Sequence, residues 1–303
     1  MNTLAGSRDA ANVCGVIVTY QPTAEMLEAL VHAVLPQLTR LVIVDNGSDF
    51  DFSALLTATT TELIELGENF GIAHAQNVGI EHARRNDAEF VLLMDQDSVP
   101  AADMVERLLT AEQGLSRSGH MVAAVGPSYL DERQGETAPF VYLDGLQLKR
   151  RLKAPGEDIT EADFLIASGC LIPMKALDAI GPMAAELFID YVDIEWGLRA
   201  RQFGYRSYGV YPARMMHALG DEWVQFRDRR VPVHSPLRHY YHTRNAIWLA
   251  RRPWISAQWR IVLLWRVVRQ SLFFSVFVPQ RLQHAKMMSL GIWHGLRNRM
   301  GRK

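Results

Sequence analysis

Residues 90–98 read FVLLMDQDS. Five apolar residues run unbroken from Phe90 to Met94 and stop at a polar turn. A run so short and unbroken suits a strand buried on both faces, as in a parallel sheet. Such a strand delivers two carboxylates, Asp95 and Asp97, to the sheet's edge. The same grammar recurs on both sides. Val13–Tyr20 (VCGVIVTY) is a β-branched run ending at Gln21-Pro22, and Leu41–Val44 (LVIV) breaks at Asp45-Asn46-Gly47-Ser48. Leu63–Leu66 is a weaker strand and Val122–Val125 a further one. Helical patterns separate them: 23–35, capped by Thr23 with Met26, Leu27, Leu30, Val31 and Val34 at helical spacing, then 72–84 and 102–113. This alternation predicts an α/β fold with a mostly parallel central sheet, whose ligands bind beyond the carboxyl ends of the strands.

After residue 125 the pattern loosens. Ser128–Glu161 reads as a hairpin with a mobile loop, Phe164–Pro173 (FLIASGCLIP) as a strand, and Val192–Phe203 as a helix with two acids in its first turn. Tyr205–Tyr211 is an aromatic-rich strand, and Gly220–Ser235 a charged, flexible segment. Pro236–Leu296 reads as two or three Trp- and Arg-rich helices. The expected organisation is one catalytic domain over 1–235 and a helical extension over 236–303.

Composition narrows the classes. The chain has 303 residues, 49% hydrophobic and 21% charged, which excludes disordered and collagen-like proteins. Two cysteines, Cys14 and Cys170, make neither a disulfide framework nor a four-thiolate zinc site. MNTLAGSRDAANV has no basic and apolar secretory pattern, so the expected setting is cytoplasmic. The net charge of −1 hides a split. Residues 227–303 carry 16 Lys/Arg against Asp228 alone, which is +15 and leaves −16 for residues 1–226. The split fits either a tail that meets an anionic surface or two halves that neutralise each other.

Several clusters could carry chemistry. Asp95-Gln96-Asp97 suits a hard divalent cation that shares substrate phosphate oxygens, and equally a solvated turn. Asp45-Asn46-Gly47-Ser48 suits a nucleoside contact or a simple turn. Gly67-Glu68-Asn69-Phe70-Gly71 with Asn77-Val78-Gly79 makes a strand-to-helix junction where backbone N–H groups favour anions. Neither GxGxxG nor GxxxxGK[ST] occurs, which leaves dinucleotide and P-loop readings unsupported. Asp190, Asp193 and Glu195 bracket a helix start, where one carboxylate could be a general base or a cap. His217 follows an aromatic strand and could be a ligand or a packed residue.

Taken in order, VIVTYQP at 16–22, VDNGS at 44–48, ENFGIAHAQNVGI at 68–80, LLMDQDS at 92–98, SGC at 168–170, LFIDYVDIEWGLRARQFGY at 187–205, MHALGD at 216–221 and HSPLRHYYHTRNAIW at 234–248 resemble the family 2 glycosyltransferases, and within them the bacterial rhamnosyltransferases. The resemblance implies a single GT-A-like nucleotide-sugar-binding domain with a C-terminal helical extension. It implies a donor side formed by Thr19, Tyr20, Asp45, Asn69, Gly71, Asn77, Asp95 and Gln96, with Asp45 at the base or ribose. Asp97, assisted by His217, would hold Mg²⁺ or Mn²⁺. Asp193 matches the family's catalytic base, and Glu195, Trp196, Arg244 and Asn245 fall on the acceptor or phosphate side. The implied reaction is inverting transfer from a nucleotide-diphosphate sugar, dTDP-L-rhamnose, to a saccharide or glycolipid acceptor. O-antigen synthesis and the second step of rhamnolipid synthesis both fit.

Trp259–Val278 is 20 residues long but holds Arg260, Arg266 and Arg269, too many charges for a spanning helix. The expectation is a peripheral helix on the anionic inner face of the cytoplasmic membrane, with packing against the catalytic domain or a homodimer as the alternative. A nucleic-acid partner is not expected, because the basic residues are spread through apolar helices rather than gathered on a polar arm.

Overall fold

Val13–Thr19 (β1) lies between two parallel neighbours, and its register sets the geometry of the site. In this computed structural model, which describes residues 11–56, 58–131, 136–217, 222–226 and 229–303, β1 leads into helix α1 (Ala24–Val34) and strand β2 (Arg40–Asp45). Then come β3 (Thr61–Glu65), α2 (Ile72–Arg85), β4 (Phe90–Asp95), β5 (Ser98–Pro100), α3 (Met104–Arg117) and β6 (Val122–Asp131). β3, β2, β1 and β4 are parallel neighbours in that order. Pairing Thr19 with Asp45 and Val18 with Asp95 aligns the three strand ends on one edge. Chain order reverses about β1, which opens a crevice at the carboxyl ends. The helices bury their apolar faces on the sheet, and Gly79 of α2 lacks a Cβ where Val16 of β1 presses against it. The NVG glycine therefore serves packing.

The second half completes a ten-stranded sheet. After β7 (Glu136–Thr137) and the hairpin β8 (Phe140–Asp144) with β9 (Gln147–Arg151) come β10 (Ile159–Ala162), β11 (Cys170–Pro173), α4 (Met174–Ile180), α5 (Val192–Gln202) and β12 (Arg206–His217). β11 lies antiparallel to β4 on one side and to β6 on the other, while β6 and β12 are parallel. The expected strand over 164–173 is shorter than its apolar run. Only Cys170–Pro173 pairs as a strand, because 168 and 169 turn, with Gly169 at φ 76°. The segment read as flexible, 220–235, holds a second hairpin, β13 (Glu222–Phe226) with β14 (Arg229–Val233); residues 220, 221, 227 and 228 lie outside the described residues.

The C-terminal region is three helices, α6 (Pro236–Ala250), α7 (Ala257–Phe274) and α8 (Arg281–Arg297). α6 is buried on nearly every face, from Tyr240 to Trp248, which fits a helix enclosed by neighbours. Gly291 and Gly295 of α8 allow this. A Cβ on Gly295 would stand 2.6 Å from the Arg244 carbonyl oxygen, so the helix backbones meet closely. Ala246–Ala250 and Trp259 share one apolar core with β1, β4 and α5. Among the described residues no helix is long and apolar enough to cross a membrane.

Candidate active site

The three strand ends are tied together by hydrogen bonds that use the motif residues themselves. Asp45 is buried and accepts from Thr19 Oγ1 (2.9 Å), Gly47 N (3.0 Å), Ser48 N (2.7 Å) and Ser48 Oγ (2.5 Å). A carboxylate offers about four acceptor sites, so Asp45 and the buried Thr19 shape the VDNGS turn from within. Gly47 at φ 89° fits there because a Cβ would stand 2.6 Å from Glu68 Cα. Gln96 bonds both backbone polar groups of Tyr20, accepting from its N (2.8 Å) and donating to its O (3.2 Å), and Tyr20 is 48% exposed.

Asn46 and Asn69 stitch the next loop. Asn46 Nδ2 donates to Asn69 Oδ1 (3.1 Å), which also accepts from Gly71 N (2.9 Å), while Asn46 Oδ1 accepts from Phe70 N (2.9 Å). Gly71, at φ 90°, seats against Phe188, whose carbonyl oxygen would be 2.5 Å from an added Cβ. Gly71→Ala combines backbone strain with that clash. It should lower stability by at least about 1–3 kcal/mol, read as a falling midpoint in urea.

Across the crevice, α5 carries Asp193. The chain enters α5 through a run of left-handed residues, Phe188 (φ 67°), Asp190 (φ 62°) and Tyr191 (φ 67°). Asp193 accepts from Ile194 N (2.8 Å) and lines a pocket with Gln76, Leu93 and Cys170. The residue is only partly exposed, and protein hems in its carboxyl. That burial, with Asp95 and Asp190 nearby and the Ile194 N–H bond opposing, pushes its pKa up to about 6. Burial and Asp97 push Asp95 to about 7, and Arg238 draws it back. Asp95, Asp97, Asp190 and Asp193 thus form one acidic cluster at the carboxyl edge. Two buried thiols, Cys14 and Cys170, are held protonated by desolvation, Cys170 at about 12.

The backbone of His217 comes to the same place. β12 pairs antiparallel with β5 so that His217 stands opposite Ser98, one residue past Asp97. Its side chain, expected as a metal ligand, lies outside the described atoms.

Several expected site residues are committed elsewhere. Asn77 donates to Met183 O (2.9 Å) and accepts from Met183 N (2.8 Å), which uses its amide to fix the loop before α5. Glu195 is buried against Arg199 (2.8 Å), and Trp196 Nε1 donates to Gly181 O (3.0 Å). Both face the protein, because α5 turns that side toward the core. Arg244 and Asn245, expected on the acceptor or phosphate side, are almost wholly buried in α6. Arg244 donates to Leu187 O (2.8 Å) and Gly301 O (2.5 Å), and Asn245 Nδ2 reaches the carbonyls of Leu187 (2.9 Å), Ile189 (2.7 Å) and Asp190 (3.0 Å). They clamp the strained 187–191 loop in place. Asn245→Ala removes the amide donor from the Ile189 and Asp190 carbonyls, while Leu187 O keeps Arg244, and should cost about 2–4 kcal/mol. A clamp of this kind also predicts a kcat loss larger than any change in donor KM, measured in a soluble-donor assay.

Two contributors were not singled out from the sequence. Ser168, fully buried, accepts from Asp95 N (3.1 Å) and donates to Ser98 Oγ (2.7 Å), holding both ends of the Asp-Gln-Asp turn. Arg238, in the first turn of α6, reaches Asp190 through Nε (3.3 Å) and Nη2 (3.2 Å). Both sit within quoted motifs, SGC and HSPLR. Their roles needed the pairing of β11 with β4 and the docking of α6.

An open sheet with a crevice and an acidic cluster at its carboxyl edge points to a class, and similarity to known proteins names it. Residues 15–156 match Glycosyl transferase family 2. The dTDP-rhamnosyl transferase RfbF of Shigella flexneri is 32% identical over 244 residues, covering 80% of this chain and 81% of the relative. The chain belongs to this family of glycosyltransferases. The galactofuranosyltransferase GlfT2 of Mycolicibacterium smegmatis is 25% identical over 281 residues, covering 80% of this chain but 41% of that one. Among solved structures, S. aureus TarS 1-349 in complex with UDP-GlcNAc superposes with TM-score 0.60 at 14% identity, covering 95% of this chain and 82% of that chain. GalNAc-T7 with UDP, GalNAc and Mn2+ gives 0.58 at 13%, covering 90% and 59%. At such identities the shared feature is the GT-A-like fold.

Proposed function

We propose that the protein moves L-rhamnose from dTDP-L-rhamnose to a hydroxyl of a lipid-linked saccharide, as in O-antigen synthesis, with inversion at the anomeric carbon. The observation that carries the chemistry is Asp193. It is a crevice carboxylate whose pKa, about 6, leaves it ionised at neutral pH yet basic enough to take a proton. The sugar and nucleotide are supported by the 32% identity to the Shigella flexneri dTDP-rhamnosyl transferase. The acceptor oxygen attacks the anomeric carbon as its proton passes to Asp193, and the bond to the diphosphate breaks with both electrons going to the leaving oxygen. A single carboxylate acting as base gives direct displacement.

The acidic cluster fits a divalent cation. Among the described residues no three side chains converge as a ready-made metal site. A hard cation that keeps waters and takes diphosphate oxygens needs only one or two carboxylates, and Asp97 with Asp95 supplies them. When bound, it stabilises the charge that develops on the departing diphosphate. Burial first, and Asp97 second, lift Asp95 to about 7, and a cation beside it would favour the ionised form. Arg238, held by Asp190 beside Asp95, adds positive charge at the same edge. The exposed rings of Tyr20 and Phe70 flank the donor side as stacking surfaces for the base.

Donor identity is tested with a panel of nucleotide sugars, scoring nucleotide release without an acceptor. Turnover should be highest with dTDP-L-rhamnose. Equal or faster release from UDP-GlcNAc or UDP-galactose would overturn the rhamnose assignment and leave the glycosyltransfer mechanism standing.

A further inference from the structure

The outward face of α7 carries an apolar stripe. Ile261, Leu264, Trp265, Val268 and Leu272 are all exposed, Trp265 by 63% and Leu272 by 65%, and Val276 and Phe277 extend the patch past the helix end. At 3.6 residues per turn these helical positions fall within an arc of about 100°. Arg260 and Arg269, both exposed, stand on the two borders of that arc. The opposite face, Trp259, Val262, Leu263 and Val267, packs inward, with Trp259 Nε1 donating to Asp163 (3.1 Å). α7 is therefore fixed to the catalytic body by one side, and among the described residues its apolar side is exposed.

We propose that this stripe docks the enzyme on an anionic lipid surface. Charge selects this occupant over a second copy of the chain. From Trp254 to Lys303 there are nine Lys/Arg and no Asp or Glu. Pairing two such faces about a two-fold axis would bring arginines together with no carboxylate between them. A bilayer with anionic headgroups instead accepts Trp and Leu at the acyl boundary and arginine at the headgroup level. Arg281, Lys286 and Arg297 of α8 are also exposed and add to the positive charge of the C-terminal helices. The helix lies along the surface, since three arginines and its length rule out crossing it. The docking itself stands on α7, while its use in presenting a lipid-linked acceptor rests on the proposed function.

Full-length protein is sedimented with phosphatidylglycerol-containing vesicles and with phosphatidylcholine vesicles, at low and high salt. The wild type should bind the anionic vesicles and lose binding as salt rises. Trp265→Ser/Leu272→Ser and, separately, Arg260→Glu/Arg269→Glu should each weaken binding at least about tenfold. Neither pair touches the crevice, so nucleotide release from the donor in lipid-free buffer should stay at the wild-type rate. That readout fails only with the catalytic reading. Variants that bind vesicles like the wild type would overturn the proposal. So would a wild-type dimer in light scattering that becomes monomeric in the Trp265→Ser/Leu272→Ser variant with no change in vesicle binding.

Discussion

Asp193→Asn should lower kcat by about 10²–10⁴-fold, the usual value of a positioned general base, while making the ligand-free protein more stable. Asn keeps the size and can still accept from Ile194 N, so the entry into α5 is preserved. It cannot take a proton. The stability gain follows from the sign of the shift. A carboxyl whose folded-state pKa is raised from 3.8 to about 6 is disfavoured in its charged form. The cost is absent below pH 4, grows between pH 4 and 6, and is fully present above. Two pH units are worth about 3 kcal/mol, and the partial exposure of Asp193 reduces this to about 1–2 kcal/mol. The Asn variant should therefore melt above the wild type at pH 8 and level with it near pH 4. In the wild type, kcat/KM should fall as pH drops through about 6. A helix cap would give the opposite pair of results: full turnover and no gain in stability.

Removing divalent cations should abolish transfer, and adding back Mg²⁺ or Mn²⁺ should restore it. A cation that stabilises the leaving diphosphate contributes several kcal/mol, so chelation should cost at least about 10²-fold in rate. Asp97→Ala should reproduce much of that loss and weaken donor binding as well. Because burial and Asp97 both disfavour the ionised form of Asp95, a cation with dTDP should raise the melting temperature more than dTDP alone. Undiminished turnover in excess chelator would remove the cation from the mechanism.

The parallel half of the fold was legible because buried strands leave unbroken apolar runs that end in Asp, Asn and Gly. FVLLMDQDS, LVIVDNGS and VCGVIVTY each became a strand whose last residues reach the site edge. The antiparallel half was less so. FLIASGCLIP is apolar except for Ser168-Gly169, yet those two residues turn so that Ser168 can accept from Asp95 N, a contact that depends on the pairing of β11 with β4. Motif membership also did not separate ligand-facing residues from clamps. Arg244 and Asn245 stand in the same motif as Arg238, but α6 is enclosed by α8 and the loop before α5. Its first turn reaches the crevice edge, while the following turns point at backbone carbonyls. Polar residues on an enclosed helix bond to the protein, because an unpaired buried group costs too much to leave.

The central claim is single displacement of dTDP from L-rhamnose by an acceptor that Asp193 deprotonates. Proton NMR of the product formed from dTDP-L-rhamnose and a saccharide acceptor reads both the sugar moved and its anomeric configuration. The account predicts a rhamnosyl product of configuration opposite to the donor, formed by the wild type and absent over the same interval with Asp193→Asn. A product that retains the donor's configuration, or one formed at the wild-type rate by Asp193→Asn, would contradict it.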